Sequence, residues 1–162
     1  PDFPEKLADA LSIMNQREDI DIARFYAYFN YPFLKNLKHG FSEMKFSIWK
    51  PGYKKFYAYS DHPHLRRSNF LQKFGKYKEG IKSDRAEYLM MFSFLLNGGK
   101  GIFYNDFQSL FIQENSSAEP STVHRNYWRT THNPFVTFIR DIYRHTRFNI
   151  DYFMLQFPNT SH

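Results

Sequence analysis

Asp61, His62 and His64 are the residues whose types and spacing come nearest to a reactive cluster. In an extended chain two imidazoles at i and i+2 point to the same side, and Pro63 between them favours extension. Such a pair holds a divalent cation only if a third or fourth ligand joins it. The remaining histidines, among them His124, His132 and His145, are scattered. A solvated turn explains Asp61-His62-Pro63-His64 equally well, so no metal and no cofactor are assigned.

Two other groupings invite chemistry and have plainer explanations. Asp141 and His145 stand four residues apart, so on a helix the carboxylate could orient the imidazole. Arg140, Arg144 and Arg147 flank them, which equally describes a solvated, salt-bridged surface. The run Asn97-Gly98-Gly99-Lys100-Gly101 has the glycines and lysine of an anion cradle. It lacks the order Gly-x-x-x-x-Gly-Lys-Ser/Thr and follows a helical pattern, so a helix end and turn is the simpler reading. The chain has no Gly-x-Ser-x-Gly elbow, His-Glu-x-x-His pair or dinucleotide glycine fingerprint. No catalytic residue is assigned, and the chain reads as a non-enzyme.

The strongest ligand signal is basic and aromatic. Lys54, Lys55, Arg66, Arg67, Lys73, Lys76 and Lys78 interleave with Tyr53, Phe56, Tyr57, Tyr59, Phe70, Phe74 and Tyr77. Cations beside rings suit RNA, where phosphates are neutralised and bases stack. They suit equally an acidic protein face or anionic lipid headgroups, against which tyrosine buries its ring and keeps its hydroxyl wet. With 22 Lys and Arg against 16 Asp and Glu, the net charge of +6 is modest for a dedicated rRNA binder. That balance favours protein or lipid contact.

The elements that must position these residues read as helices. Asp2 and Glu5 frame a capping box ahead of Leu7, Leu11 and Met14. Ile22, Phe25, Tyr26 and Phe29 repeat at i, i+3, i+4 and i+7, which predicts a second helix ending near Pro32. Residues 41–59 alternate around Pro51-Gly52 and predict a short β-hairpin, and the stretch from Asp61 to Lys82 reads as irregular. A third helix follows Ser83 and ends at Asn97-Gly98, and a fourth carries Phe103, Phe107, Leu110 and Phe111. The last opens on Asn133-Pro134, an N-cap and a first-turn proline, with Phe135, Phe138, Ile139 and Ile142 on one side. The expected fold is mainly α, with about five amphipathic helices and the hairpin near 41–59. Its expected organisation is a helical domain over 1–113, a polar loop over 114–122, and a C-terminal helix and tail over 123–162 packed on the same domain.

Composition narrows the classes further. A fifth of the 162 residues are aromatic, including 19 Phe and 12 Tyr, so the chain carries too many large rings to remain disordered. The absence of cysteine excludes disulfides, thiolate metal sites and a cysteine nucleophile. The longest largely apolar stretch, Tyr88 to Leu96 with Ser93 inside it, is too short to span a bilayer. The chain opens at Pro1 with no leader pattern, as a processed organellar protein would.

The stretch Asn133-Pro134-Phe135-Val136-Thr137-Phe138-Ile139-Arg140-Asp141-Ile142-Tyr143 resembles the Pro-Val-Thr, apolar, Arg-acidic helix opening of the PDSW accessory subunits of mitochondrial complex I. The paired cysteines of those subunits have no counterpart here. The resemblance implies a respiratory-chain accessory subunit. The expectation is therefore a non-catalytic subunit of a membrane-associated mitochondrial complex, peripheral to the inner membrane. Phe25, Tyr26, Phe29, Trp49, Trp128, Phe135 and Phe138 would fill pockets on partner subunits, and the seven basic residues would meet acidic or lipid surfaces. The alternatives are an RNA-binding protein of an organellar ribosome, and a small hydrolase using a metal at Asp61, His62 and His64.

Overall fold

In the computed structural model, which describes residues 2–111, 131 and 133–156, a five-stranded mixed sheet lies between helical layers. The elements in chain order are α1 (Phe3–Gln16), β1 (Ile22–Arg24), β2 (Leu34–Asn36), β3 (Phe41–Met44), a 3-10 turn (Tyr53–Phe56), β4 (His64–Arg66), α2 (Phe70–Phe74), α3 (Ser83–Leu96), β5 (Gly101–Tyr104) and α4 (Pro134–Gln156). The sheet order is β2-β3-β5-β1-β4. β1 and β5 run parallel at its centre, with Ile22 opposite Gly101, and the other pairings are antiparallel.

The mainly α expectation is therefore wrong, and the physical reason lies in the central strands. Every residue of β1, β3 and β5 is buried. Ile22, Met44 and Phe103 pack into one cluster with α2, α3 and α4, whereas Ala23, Phe41, Ile102 and Tyr104 pack into another with α1. Strands covered on both faces read as continuous apolar runs, and a continuous run also satisfies helical spacing. The apparent helix over 22–29 is β1 followed by irregular chain, and the apparent helix from Phe103 is the end of β5 followed by turns. The hairpin also sits elsewhere. β3 pairs back with β2 through a turn in which His39 and Gly40 both have positive φ, and Tyr53–Phe56 forms a 3-10 turn instead of a strand. Within the stretch read as irregular lie β4 and α2.

Three helices stand where the spacing put them. α1 begins with proline in its first turn, but Asp2 contributes its backbone carbonyl to Lys6 N–H and makes no side-chain cap, while Glu5 pairs with Lys6. α3 ends at Asn97, after which Gly98 adopts φ +68° and Gly99 N–H returns to Phe94 O at 2.8 Å. A Cβ on Gly99 would come within 2.5 Å of the Phe94 ring, so this Gly-Gly pair serves the helix end and its packing. α4 is capped by Asn133, whose Oδ1 accepts from Phe135 N–H at 3.0 Å.

A buried carboxylate ties the centre of the sheet together. Asp21 accepts from Lys73 Nζ at 2.8 Å and from Lys100 N–H at 2.9 Å, and its own N–H donates to Lys100 O at 2.8 Å. It therefore locks the entries of β1 and β5 to α2. The polar loop over 114–122 and Trp128 lie outside the described residues.

Candidate functional site

Arg24 is the sole charged residue between Ile22 and Tyr31, and the strand carries it into the interior. Its Nη1 donates to Tyr57 O at 2.5 Å and its Nη2 to Ser60 Oγ at 2.7 Å, while Nε is buried without a partner. Burial lowers its pKa to about 10, which leaves it cationic at neutral pH. Among the described residues no carboxylate lies within 4 Å of it.

Arg24 lines a cleft of about 1080 Å³. The chain after β1 supplies Tyr28 and Phe29, the loop before β4 supplies Tyr57 and Ser60 to His62, and the first half of α3 supplies Asp84, Arg85, Glu87 and Tyr88. α4 closes the side with Arg140, Arg144 and Arg147, a spacing that places the three on one stripe of the helix. Asp61 N–H donates to Glu87 Oε1 at 3.1 Å. Burial, reinforced by the nearby Asp61 charge, pushes the Glu87 carboxyl up from its ordinary value.

Burial also holds His62 and His64 below 6.5, with Arg24 and Arg66 nearby acting in the same direction. Their unfolded-state pKa is the higher one, so in the window below 6.5 the unfolded chain binds more protons and stability falls with pH. Denaturant titration at pH 7, 6 and 5 should show that loss, and His62→Asn/His64→Asn should flatten it. Glu87 has the opposite sign, because its folded value lies above 4.5, so the same series in a Glu87→Gln background should be steeper. A profile flat from pH 7 to 5 in that background would exclude this account.

The histidine pair makes no metal centre here. His62 Nδ1 meets Ser60 Oγ at 2.8 Å and His64 Nδ1 meets His62 O at 2.7 Å. Among the described residues no group of three or more His, Cys, Asp or Glu is placed to hold a metal ion. His145 and Asp141 lie on α4, where Asn149 Nδ2 donates back to His145 O at 2.5 Å.

The basic segment divides by use. Lys55 is fully buried, and its Nζ donates to Ile48 O at 2.5 Å, Lys50 O at 2.6 Å and Asn149 Oδ1 at 3.2 Å. Arg67 gathers the carbonyls of Met14, Arg17 and Ile20 at the end of α1, and Lys73 is bound to Asp21. Arg66 lies over Phe70 and Lys54 over Phe29, leaving Lys76 and Lys78 on the surface. The interleaved rings are core or half-buried: Phe56 packs against Phe92 and Phe148, and Tyr59 stacks on Phe70. The fold thus buries Tyr53, Phe56, Tyr59, Phe70 and Phe74 and leaves Tyr57, at the cleft wall, and Tyr77 half-buried.

The apolar anchors divide in the same way. Phe25 and Tyr26 are buried, and Phe29 is half-buried against Tyr57. Trp49, Phe135 and Phe138 stand out at 88%, 70% and 63% exposure. The outer side of α4 continues that surface through Ile142, Tyr143, Ile150, Phe153 and Met154.

Comparison with family models, curated proteins and solved structures finds no match. Nothing in the fold or in those comparisons supports a mitochondrial or respiratory-chain placement, and both expectations are withdrawn together with the all-α description. No helix among the described residues is long and apolar enough to cross a membrane. Arg140, Arg144 and Arg147, read from the sequence as a solvated side of the last helix, line the cleft instead, and the residues that sequence reasoning missed are Arg24, Arg85 and Glu87. A lone arginine inside an apolar strand was the one signal available for any of them.

Proposed function

We propose that this chain is a non-catalytic docking subunit of a hetero-oligomeric assembly, with α4 as the element that engages a partner protein. The observation that carries the reading is the two-sidedness of α4. Its inner side buries Phe148 and half-buries Tyr152 in the core, while Phe135, Phe138, Ile139, Ile142, Ile150 and Phe153 face outward. Phe135, Phe138, Ile139 and Ile142 are spaced at three, four and seven residues, the geometry with which a helix enters an apolar groove, and beyond exposed Thr146 the same side carries Ile150 and Phe153. An exposed stripe of that extent is costly in water unless something covers it.

Charge describes the partner. The exposed Arg147 borders the stripe on α4, so the complementary surface is an apolar groove with an acidic edge. A photo-crosslinking phenylalanine analogue at position 138 of the full chain, expressed in its source, should yield one partner whose crosslinked peptide is apolar and bordered by Asp or Glu. Phe138→Asp/Ile142→Asp should abolish co-migration with that partner while leaving the thermal midpoint and circular dichroism unchanged. Crosslinking only to a second copy of the chain, or a 19.6 kDa species that migrates alone, would overturn the proposal. So would co-migration with RNA that the double variant leaves intact.

A further inference from the structure

Trp49 projects into solvent from a turn whose backbone is pinned from inside. Its side chain is 88% exposed, while Phe46 and Ile48 of the same turn pack against the core. The buried Lys55 ammonium donates to Ile48 O at 2.5 Å and to Lys50 O at 2.6 Å, the carbonyls on either side of Trp49. An indole held this way contributes no buried area to the fold. Its backbone is already ordered, so a partner that covers the ring gains area at little further cost in chain entropy.

The same turn is fixed to α4. Lys55 makes its third bond to Asn149 Oδ1 at 3.2 Å, and the Phe46 and Tyr152 rings lie 5.5 Å apart. Asn149 stands seven residues after Ile142 and four before Phe153, so the turn meets α4 on one flank of the outward stripe. Arg147, two residues and about 200° around the helix from Asn149, borders the other flank. The surface therefore runs in a fixed order, from indole through apolar stripe to guanidinium. Lys50, beside Trp49, is engaged within the protein: it is half-buried, and its ammonium lies over the Phe33 ring at 4.3 Å and reaches Lys45 O at 3.4 Å.

We infer that Trp49 is a second anchor of the α4 docking surface, received by an apolar pocket in the partner on the side of its groove opposite the acidic edge. Tryptophan buries a large area on association and is enriched among the residues that dominate binding, and its indole N–H calls for an acceptor in that pocket. The inference rests on the docking reading and adds a second contact and a direction to it: the partner's acid and its indole pocket lie on opposite sides of α4.

Photo-crosslinking from two positions of the full chain, expressed in its source, tests it. A phenylalanine analogue at position 49 should capture the same partner as one at position 138, through an apolar peptide distinct from the one bordered by Asp or Glu. With that partner purified, Trp49→Ala should weaken binding at least about tenfold at an unchanged thermal midpoint, because the side chain it removes is outside the core. Capture from position 138 but not from 49, or parental affinity in Trp49→Ala, would overturn this inference and leave the docking reading standing. No capture from position 138 would overturn both. An emission blue shift on adding phosphatidylserine vesicles, abolished by Trp49→Ala and without capture from position 49, would assign the indole to a bilayer and overturn the inference as well.

Discussion

Phe148→Ala should cost about 3–5 kcal/mol of folding stability, the range for removing a large buried ring. Phe148 is the buried residue of α4, and it holds that helix to the body through five rings from two segments. Tyr53, Phe56 and Tyr57 approach from the 3-10 turn and its end, at 5.6–6.0 Å between centroids, and Tyr88 and Phe92 approach from α3 at 5.1 and 6.1 Å. Truncation removes edge-to-face contacts as well as buried area, and the cavity opens beside the cleft, where water can enter. Amide hydrogen exchange should therefore show α4 losing protection before the sheet does. Ile142→Ala, on the outward side, is the control and should change stability by under about 0.5 kcal/mol. A Phe148→Ala protein with parental stability and α4 protection would show that the helix is held by something other than this ring cluster.

Lys55→Met is the second substitution with a large expected effect, a loss of about 3 kcal/mol. Methionine keeps the length and apolar body of lysine but supplies no donor. The ammonium bonds Ile48 O and Lys50 O, on either side of the exposed Trp49, and Asn149 Oδ1 on α4. Removing it leaves three acceptors short of a donor, each costing about 1–3 kcal/mol to the extent that water cannot replace it. Burial already lowers the pKa of Lys55, so the site tolerates a cation only because those oxygens surround it. Urea titration should show the loss, and exchange should rise together in residues 45–52 and in α4 near Asn149. A midpoint within error of the parent would mean that the three oxygens are satisfied without the lysine.

These two residues also show how much of the molecule was legible. The helical spacing around Phe148 was plain, because α4 begins on a capping asparagine and a proline and keeps one apolar stripe. Lys55 was not legible. Lysine in a basic run reads as solvent-facing, and only the 3-10 turn, which no periodicity announces, directs it inward. The same misreading affected Arg67, whose guanidinium closes the end of α1. Phe25 and Tyr26 carried the right type for anchors, but β1 takes them into the core. Trp49, Phe135 and Phe138 differ from them in nothing visible locally. Their exposure is decided by which strands pair, and the pairing of residues near 22 with residues near 101 is not encoded in any short window. The cleft is built from four separated stretches and was invisible for that reason.

The pairing of β1 with β5 has a consequence for how the chain comes to its fold. Asp21 and Lys100 meet across 79 positions of sequence, and every residue of β2, β3 and β4 is made before β5 exists. β2 and β3 can close early as a hairpin, but β1 has only β4 to pair with until the last strand emerges. α1, made first, can cover the Ala23 side, but Ile22 on the other face waits for the later helices. Contacts of such long sequence separation slow the search for the native topology and leave sticky edges available meanwhile. Because β5 fills the slot between β1 and β3, the sheet cannot close across its centre until the chain through residue 104 is available.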